Sequence, residues 1–255
     1  MIRLTDFPAI ILILSFLVLW FSGGLGASLR KKRRLPDEAA GADPGLILGA
    51  SLTLLGLIIG FTFSMAITRF EQRTNYEEAE ANAIGTEYVR IDVLPAPDAQ
   101  RLRVLLAKYT EQRILFYEIR REQELNRVNA DTAQLQAELW STVLKSASLQ
   151  PTPLTALAVS GMNDVLNSQG YTQAAWWNRI PPSAWFLMLI IALCCNLLIG
   201  YCIRRTGAEF VVFLVMTLIV SISFFLIADI DSPRRGIIHV RPLNLVSLSQ
   251  SLHPQ

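Results

Sequence analysis

Three glutamates stand close together in the first half of the chain, namely Glu77, Glu78 and Glu80. If several copies of the chain assemble, these carboxylates form a ring of negative charge that can select ions electrostatically. The same residues can instead simply form the solvent-exposed face of a helix. Arg73 and Glu77 are four residues apart and can form an ordinary ion pair on such a surface. The sequence therefore leaves two interpretations open, an ion-selecting charge ring and a solvated helix face.

The apolar segment before these glutamates carries small residues at regular spacing. Gly56, Gly60 and Ser64 are four residues apart and fall on one face of a helix. Small residues let helix backbones approach closely in lipid, where no hydrophobic effect drives association. The same stripe, with Phe61 and Phe63 beside it, can instead line a narrow pore that apolar side chains close by excluding water. The spacing is compatible with both helix packing and pore lining.

Asp, Glu, His, Lys and Arg are absent from the long apolar segments of this chain, and Asn196 is the only strongly polar residue in them. A proton-driven transporter needs Asp, Glu or His within its membrane helices to relay protons. We therefore expect passive conduction or no conduction.

Reactive residues elsewhere do not form a known catalytic or metal-binding pattern. The three cysteines lie in one apolar segment, and the two histidines, His239 and His253, lie near the C-terminal end. HExxH, GxSxG and CxxC motifs are all missing from the sequence. The net charge of +2 does not suggest a nucleic-acid partner. We expect a protein that is not an enzyme and that needs no metal and no cofactor.

The hydropathy of the sequence predicts the helices on which these candidate residues lie. Of 255 residues, 52% are hydrophobic and 17% are charged, whereas about 25% are charged in ordinary soluble domains. Four segments approach the length of about 20 residues that a helix needs to cross a bilayer. They are residues 7–27, 46–67, 183–203 and 210–228. Backbone groups in lipid must bond within their own segment, so each is predicted to be helical and the protein to be an all-α integral membrane protein.

The remaining residues complete the predicted domain organisation. Residues 1–67 are expected to hold the first two membrane helices and a basic connecting loop, and residues 181–228 the last two. Residues 68–180 have a soluble composition dominated by helix formers, which predicts a helical domain outside the membrane. Residues 229–255 are predicted to be a polar C-terminal tail.

Basic residues predict the orientation of these helices. Five of them, residues 30–34, are adjacent in the short loop after the first span. Such a cluster opposes transfer across the membrane, which favours a cytoplasmic location for this loop. Both chain ends and the domain at 68–180 are then predicted to lie outside the cytoplasm.

Three stretches of the sequence resemble a known family. They are GFTFSMAITRFE at 60–71, EAEANAIGTEY at 78–88 and DIDSPRRGII at 229–238, and they are similar to the bestrophin-like membrane proteins found in bacteria. The resemblance implies four spans and a location in the bacterial inner membrane. It extends more distantly to true bestrophins, which are pentameric anion channels whose second span lines the pore and whose middle segment is cytoplasmic.

Two functions follow as alternatives. The first is an oligomeric, bestrophin-like channel that conducts an inorganic ion past Gly56, Gly60, Phe61, Phe63 and Ser64. The second is a non-conducting scaffold or sensor of the cell envelope whose helical domain binds a partner. In both, the chain is a multi-pass membrane protein that contacts the lipid bilayer and assembles with copies of itself.

Overall fold

A computed structural model describes residues 4–32, 44–202 and 207–252. These residues form eight α-helices and two short 3₁₀ turns, Leu4–Asp6 and Ile91–Val93, and none of them is in a β-strand. The helices are α1 (Pro8–Lys32), α2 (Pro44–Arg90), α3 (Ala96–Glu118), α4 (Glu122–Leu149), α5 (Pro153–Trp177), α6 (Pro182–Cys202), α7 (Gly207–Asp231) and α8 (Leu243–Leu252).

The prediction of an all-helical protein with four membrane helices is confirmed. Among the described residues, four helical stretches are long and apolar enough to cross a membrane, and they contain the described residues of the predicted spans except Phe7, which directly precedes α1. Residue 203, the predicted end of the third span, lies outside the described residues. Helix α2 continues 23 residues past the predicted span, from Thr68 to Arg90. The first prolines after it are Pro95 and Pro97, and no proline interrupts its hydrogen bonds before Arg90.

The chain divides into two compact units. The first contains Met1–Thr68 and Arg179–Ile238, and therefore α1, α6, α7 and the first part of α2. The second contains Arg69–Asn178 and His239–Gln255, and therefore the rest of α2 with α3, α4, α5 and α8. The first unit holds the predicted membrane spans, and we call it the membrane unit. We call the second the helical unit.

Helices α1 and α6 pack at very short range in the membrane unit. A Cβ atom added to Gly200 would lie 2.0 Å from the carbonyl oxygen of Gly23, and one added to Gly26 would lie 2.0 Å from that of Leu197. Only glycine leaves room for this approach, which is a common means of helix association in lipid. The Ser22 hydroxyl adds a hydrogen bond of 2.8 Å to the Leu193 carbonyl.

A buried hydrogen bond also connects α6 with α7. The Thr217 hydroxyl donates to Asn196 Oδ1 over 2.9 Å, and Asn196 Nδ2 donates to the Ala192 carbonyl over 3.0 Å. The polar residue singled out in the third span is thereby satisfied within the chain, as burial away from water requires.

Arg179 joins three segments of the membrane unit. Its guanidinium donates to Asp6 before α1 over 2.8 Å, and to Asp231 at the end of α7 over 3.0 Å. Asp231 also accepts from the backbone N–H of Ile180 over 3.1 Å. All three side chains are mostly buried, which strengthens these charge-assisted bonds relative to surface pairs.

The helical unit has its own hydrophobic core. Every third or fourth residue of α3 contributes to it, including Leu102, Tyr109 and Phe116, all fully buried. Ile84 near the end of α2 and Ile91 in the turn after it are fully buried as well. Trp176 closes the core with its ring centroid 4.9 Å from that of Phe116.

The C-terminal segment departs from the prediction of a polar tail. Residues 229–231 complete α7, and Leu243–Leu252 forms helix α8. Leu245 and Leu252 are buried, and Leu248 packs against the core of the helical unit. This short helix is stabilised by its apolar face, since a helix of this length is not stable alone in water.

Candidate functional site on helix α2

Helix α2 has two contrasting faces within the membrane unit. Leu55, Thr62 and Ala66 lie on one side with at most 4% of their surface exposed. Gly56 and Gly60 lie on the other side, where an added Cβ would meet no atom within 4 Å. The second side is therefore left uncovered by the described part of the chain, and we call it the open face of α2.

The predicted pore or packing residues lie on or beside the open face. Phe61 is 66% exposed, Ser64 is exposed, and Phe63 is half-buried. The described part of the chain does not cover this face, which leaves it open to lipid, to another copy of the chain or to an ion path. Whether these residues line a pore stays a prediction.

The three glutamates of the predicted charge ring have different environments. Glu78 is exposed, whereas Glu77 and Glu80 have at most 1% of their surface exposed. Glu77 accepts hydrogen bonds from Asn244 Nδ2 over 2.7 Å and from the backbone N–H of Leu245 over 2.9 Å. It therefore binds the start of α8, where a carboxylate is favoured by the helix dipole.

Glu80 forms a buried ion pair with Arg113 of α3. Arg113 Nε donates to Glu80 Oε1, and both side chains are fully buried. Tyr117 and Thr172 donate to Glu80 Oε2 over 3.3 and 3.1 Å. Burial disfavours the charge of Arg113, but the adjacent Glu80 outweighs this effect and raises the pKa of the guanidinium. The sequence did not reveal this role for Glu80. Of the three glutamates, only the exposed Glu78 remains a candidate ion-selecting residue.

Another acidic residue of α2, Glu87, is buried without a hydrogen bond among the described residues. Neither of its carboxylate oxygens has a donor among the described residues, although the side chain is fully buried. It lies against Gly161 of α5, where an added Cβ would be 2.0 Å from Glu87 Oε2. Burial raises the pKa of Glu87 from 4.5 to about 8, against the opposing charge of Arg90 and with a contribution from Asp164.

We predict that Glu87 makes the protein less stable as the pH rises. The pKa of this acid is higher in the folded state than in the unfolded state. At a pH between these two values, the side chain is protonated in the folded protein and ionised in the unfolded protein. Stability should therefore fall from about pH 5 to pH 8, by at most about 1.4 kcal/mol per pH unit. Melting temperatures of purified protein measure the effect, and the neutral variant Glu87→Gln should lack it. The control Glu78→Gln, which removes an exposed carboxylate, should keep the wild-type dependence of stability on pH. If Glu87→Gln also keeps it, the prediction fails.

The described residues contain no group of three or more His, Cys, Asp or Glu side chains placed to hold a metal ion. Helix α2 presents an exposed carboxylate at Glu78 and an open face of small and apolar residues, while Glu77 and Glu80 bond to α8 and α3 within the helical unit.

Comparison with known proteins gives a family and a fold. A family model described as a bestrophin-like domain matches residues 10–245. The structure of a bacterial bestrophin homologue from Klebsiella pneumoniae is similar with a TM-score of 0.66 at 11% identity, covering 95% of this chain and 96% of that chain. A single-residue variant of that homologue gives a TM-score of 0.65 at 12% identity, covering 96% and 97%. Identities this low show the fold alone. No curated protein matches the sequence.

Proposed function

The chain belongs to the bestrophin-like family, and from this premise we propose that it is an ion channel assembled from several copies of the chain rather than an enzyme. The proposed ion path runs along the open face of α2. We place the channel in the inner membrane of a bacterium, with the helical unit outside the cytoplasm as the basic residues 30–34 predict.

The open face is the observation that carries this proposal. Small residues of a membrane helix are expected to be covered by a neighbouring helix, because they are the residues that allow close helix contacts. In this chain Gly23, Gly26 and Gly200 are used in that way, whereas a Cβ added to Gly56 or Gly60 would meet no atom of the described residues within 4 Å. In an oligomer, the open faces of several copies would surround the symmetry axis. Their small residues would leave space for ions along this axis, and Phe61 would form an apolar constriction.

Glu78 supplies the charge in this proposal. It is exposed, and on a helix with 3.6 residues per turn it falls on the same face as Gly60. One carboxylate from each copy would then stand along the path and attract cations. We infer that the channel prefers cations to anions.

Reconstitution tests the function. Purified protein in liposomes of phosphatidylcholine and phosphatidylglycerol should release trapped cations, and mild cross-linking should yield defined oligomers. Liposomes without protein provide the background. Oligomers that give no flux over a range of salts and pH values would support the scaffold or sensor alternative.

We predict that Glu78→Gln reduces cation selectivity without unfolding the protein. Removing an exposed carboxylate from every copy lowers the attraction for cations along the path, while the fold does not depend on this side chain. Reversal potentials in a salt gradient measure the change. Glu118→Gln, which removes an exposed carboxylate at the end of α3, should leave selectivity unchanged. Equal selectivity in wild type and Glu78→Gln would remove Glu78 from the proposed path.

A further inference from the structure

A contact between α2 and α5 in the helical unit contains a buried carboxyl group that nothing neutralises. Glu87 is fully buried there, and neither of its oxygens accepts a hydrogen bond from a described residue. Glu77 and Glu80 of the same helix are also buried, but each accepts bonds from donors on other helices. Buried polar groups are normally satisfied, so Glu87 is an exception within its own helix.

Gly161 lets this carboxyl group lie directly against the backbone of α5. A Cβ added to Gly161 would be 2.0 Å from Glu87 Oε2 and 2.8 Å from Arg90 Nη1. A side chain at this position would therefore displace both groups. Glycine inside a helix costs about 1 kcal/mol relative to alanine, and the space that it leaves here is taken by an acid and a cation with no hydrogen bond between them.

Arg90 lies between two acids. Its Nη1 is 3.8 Å from Asp164 Oδ2 on α5, and the two side chains are 39% and 59% exposed. An exposed pair of this kind contributes at most about 1 kcal/mol. Glu87 precedes Arg90 by three residues on α2, a spacing at which side chains of one helix can pair. Exchanging Asp164 for a charged Glu87 would therefore cost Arg90 little.

The charged side chains that act on Glu87 within the described part of the chain are Arg90 on its own helix and Asp164 on α5. Burial has the largest effect and raises the pKa of Glu87 to about 8, while Arg90 lowers this pKa and Asp164 raises it. Arg103 of the neighbouring α3 pairs with Asp92 instead. Glu87 therefore changes its charge near neutral pH, where other carboxyl groups are already ionised.

We propose that this contact is a proton-dependent switch of the helical unit. While Glu87 is protonated, its neutral carboxyl group stays buried against Gly161, and Arg90 stays paired with Asp164. When Glu87 loses its proton to solvent, the charge cannot remain buried without a partner. Arg90 then moves from Asp164 to Glu87, and water enters between α2 and α5. This switch does not depend on whether the protein conducts ions.

Hydrogen–deuterium exchange of the full chain in detergent, measured by mass spectrometry from about pH 6 to about pH 10, tests the proposal. Labelling times are scaled to the chemical exchange rate at each pH, so that only protection is compared. Peptides that contain Gly161 or Glu87 should lose protection around pH 8, whereas peptides of α3 that contain Leu102 and Leu106 should keep it. Loss of protection in all of them at once would be unfolding of the helical unit and would overturn the proposal.

Charge variants should move the midpoint of this transition in opposite directions. Asp164→Asn removes a charge that raises the pKa of Glu87 and should shift the opening to lower pH, whereas Arg90→Gln should shift it to higher pH. Glu87→Gln should keep the contact closed throughout, and Glu118→Gln, which removes an exposed carboxylate of α3, should keep the wild-type midpoint. Unchanged midpoints in both charge variants, or opening of Glu87→Gln at the wild-type pH, would overturn the proposal.

Discussion

Arg113→Met is expected to destabilise the helical unit more than any other single replacement considered for this protein. The change leaves Glu80 buried, still hydrogen-bonded by Tyr117 and Thr172 but without its cation. Removing one partner of a buried ion pair costs about 3–5 kcal/mol, because the remaining charge is neither solvated nor paired. Thermal unfolding of the purified protein in detergent, followed by circular dichroism, measures the loss.

The chain offers a matched control for this prediction. Arg103 pairs with Asp92, but both side chains are exposed, so Arg103→Met should cost at most about 1 kcal/mol. Replacing Glu80 and Arg113 together with leucine should cost less than Arg113→Met alone, since no unpaired charge remains. If Arg113→Met and Arg103→Met lower the melting temperature equally, the buried pair does not have the assigned role.

Gly60→Leu is expected to abolish most of the ion flux while leaving the fold intact. The single chain tolerates the new side chain, since an added Cβ at Gly60 meets no atom within 4 Å. Around an axis, one leucine from every copy would narrow and dehydrate the proposed path, and we expect flux to fall by about tenfold or more. Cation release from liposomes containing equal amounts of protein measures this effect.

Two comparisons make the result on Gly60 specific. Gly170→Leu in α5 introduces the same side chain at another open glycine and should keep the wild-type flux. Cross-linking of Gly60→Leu should still yield oligomers. Loss of oligomers in this variant would instead favour the packing interpretation of the small residues, and unchanged flux would place the ion path elsewhere.

The membrane helices could be predicted because their signal is local. About 20 apolar residues in sequence are sufficient to predict a span, whatever the helix packs against. The close α1–α6 contact was not predicted, because it depends on which glycine meets which backbone. The spacing of Gly56 and Gly60 is compatible with both packing and pore lining, whereas Gly26 and Gly200 make the short contacts within the described part of the chain.

The buried charges of α2 show what local sequence does not reveal. Glu78 and Glu80 are two residues apart in the sequence, yet one is exposed and the other fully buried. The available signal is the helical spacing of three or four residues that connects Arg73, Glu77 and Glu80 with the apolar Ile84. Charged residues are seldom buried unless paired, so this pattern by itself predicts a surface. The partner Arg113 lies far away in the sequence.

Helix α8 was missed for a different reason. Leu245, Leu248 and Leu252 have helical spacing, but the surrounding serines and the short length made the segment resemble a polar tail. Its stability comes from packing on the core of the helical unit and from the bonds of Asn244 and Leu245 to Glu77. Such tertiary contacts are not visible in the local pattern.

Accessibility of position 64 to a charged, water-soluble thiol reagent tests the central proposal most directly. Ser64→Cys, in a chain whose three native cysteines are replaced by alanine, puts one thiol on the open face of α2. If this face lines a water-filled path, the reagent should modify the thiol and block the current through the reconstituted protein. If the thiol in a conducting protein stays unmodified and the current unchanged, while a lipid-soluble reagent does react, the open face lies against lipid and the proposed path is wrong.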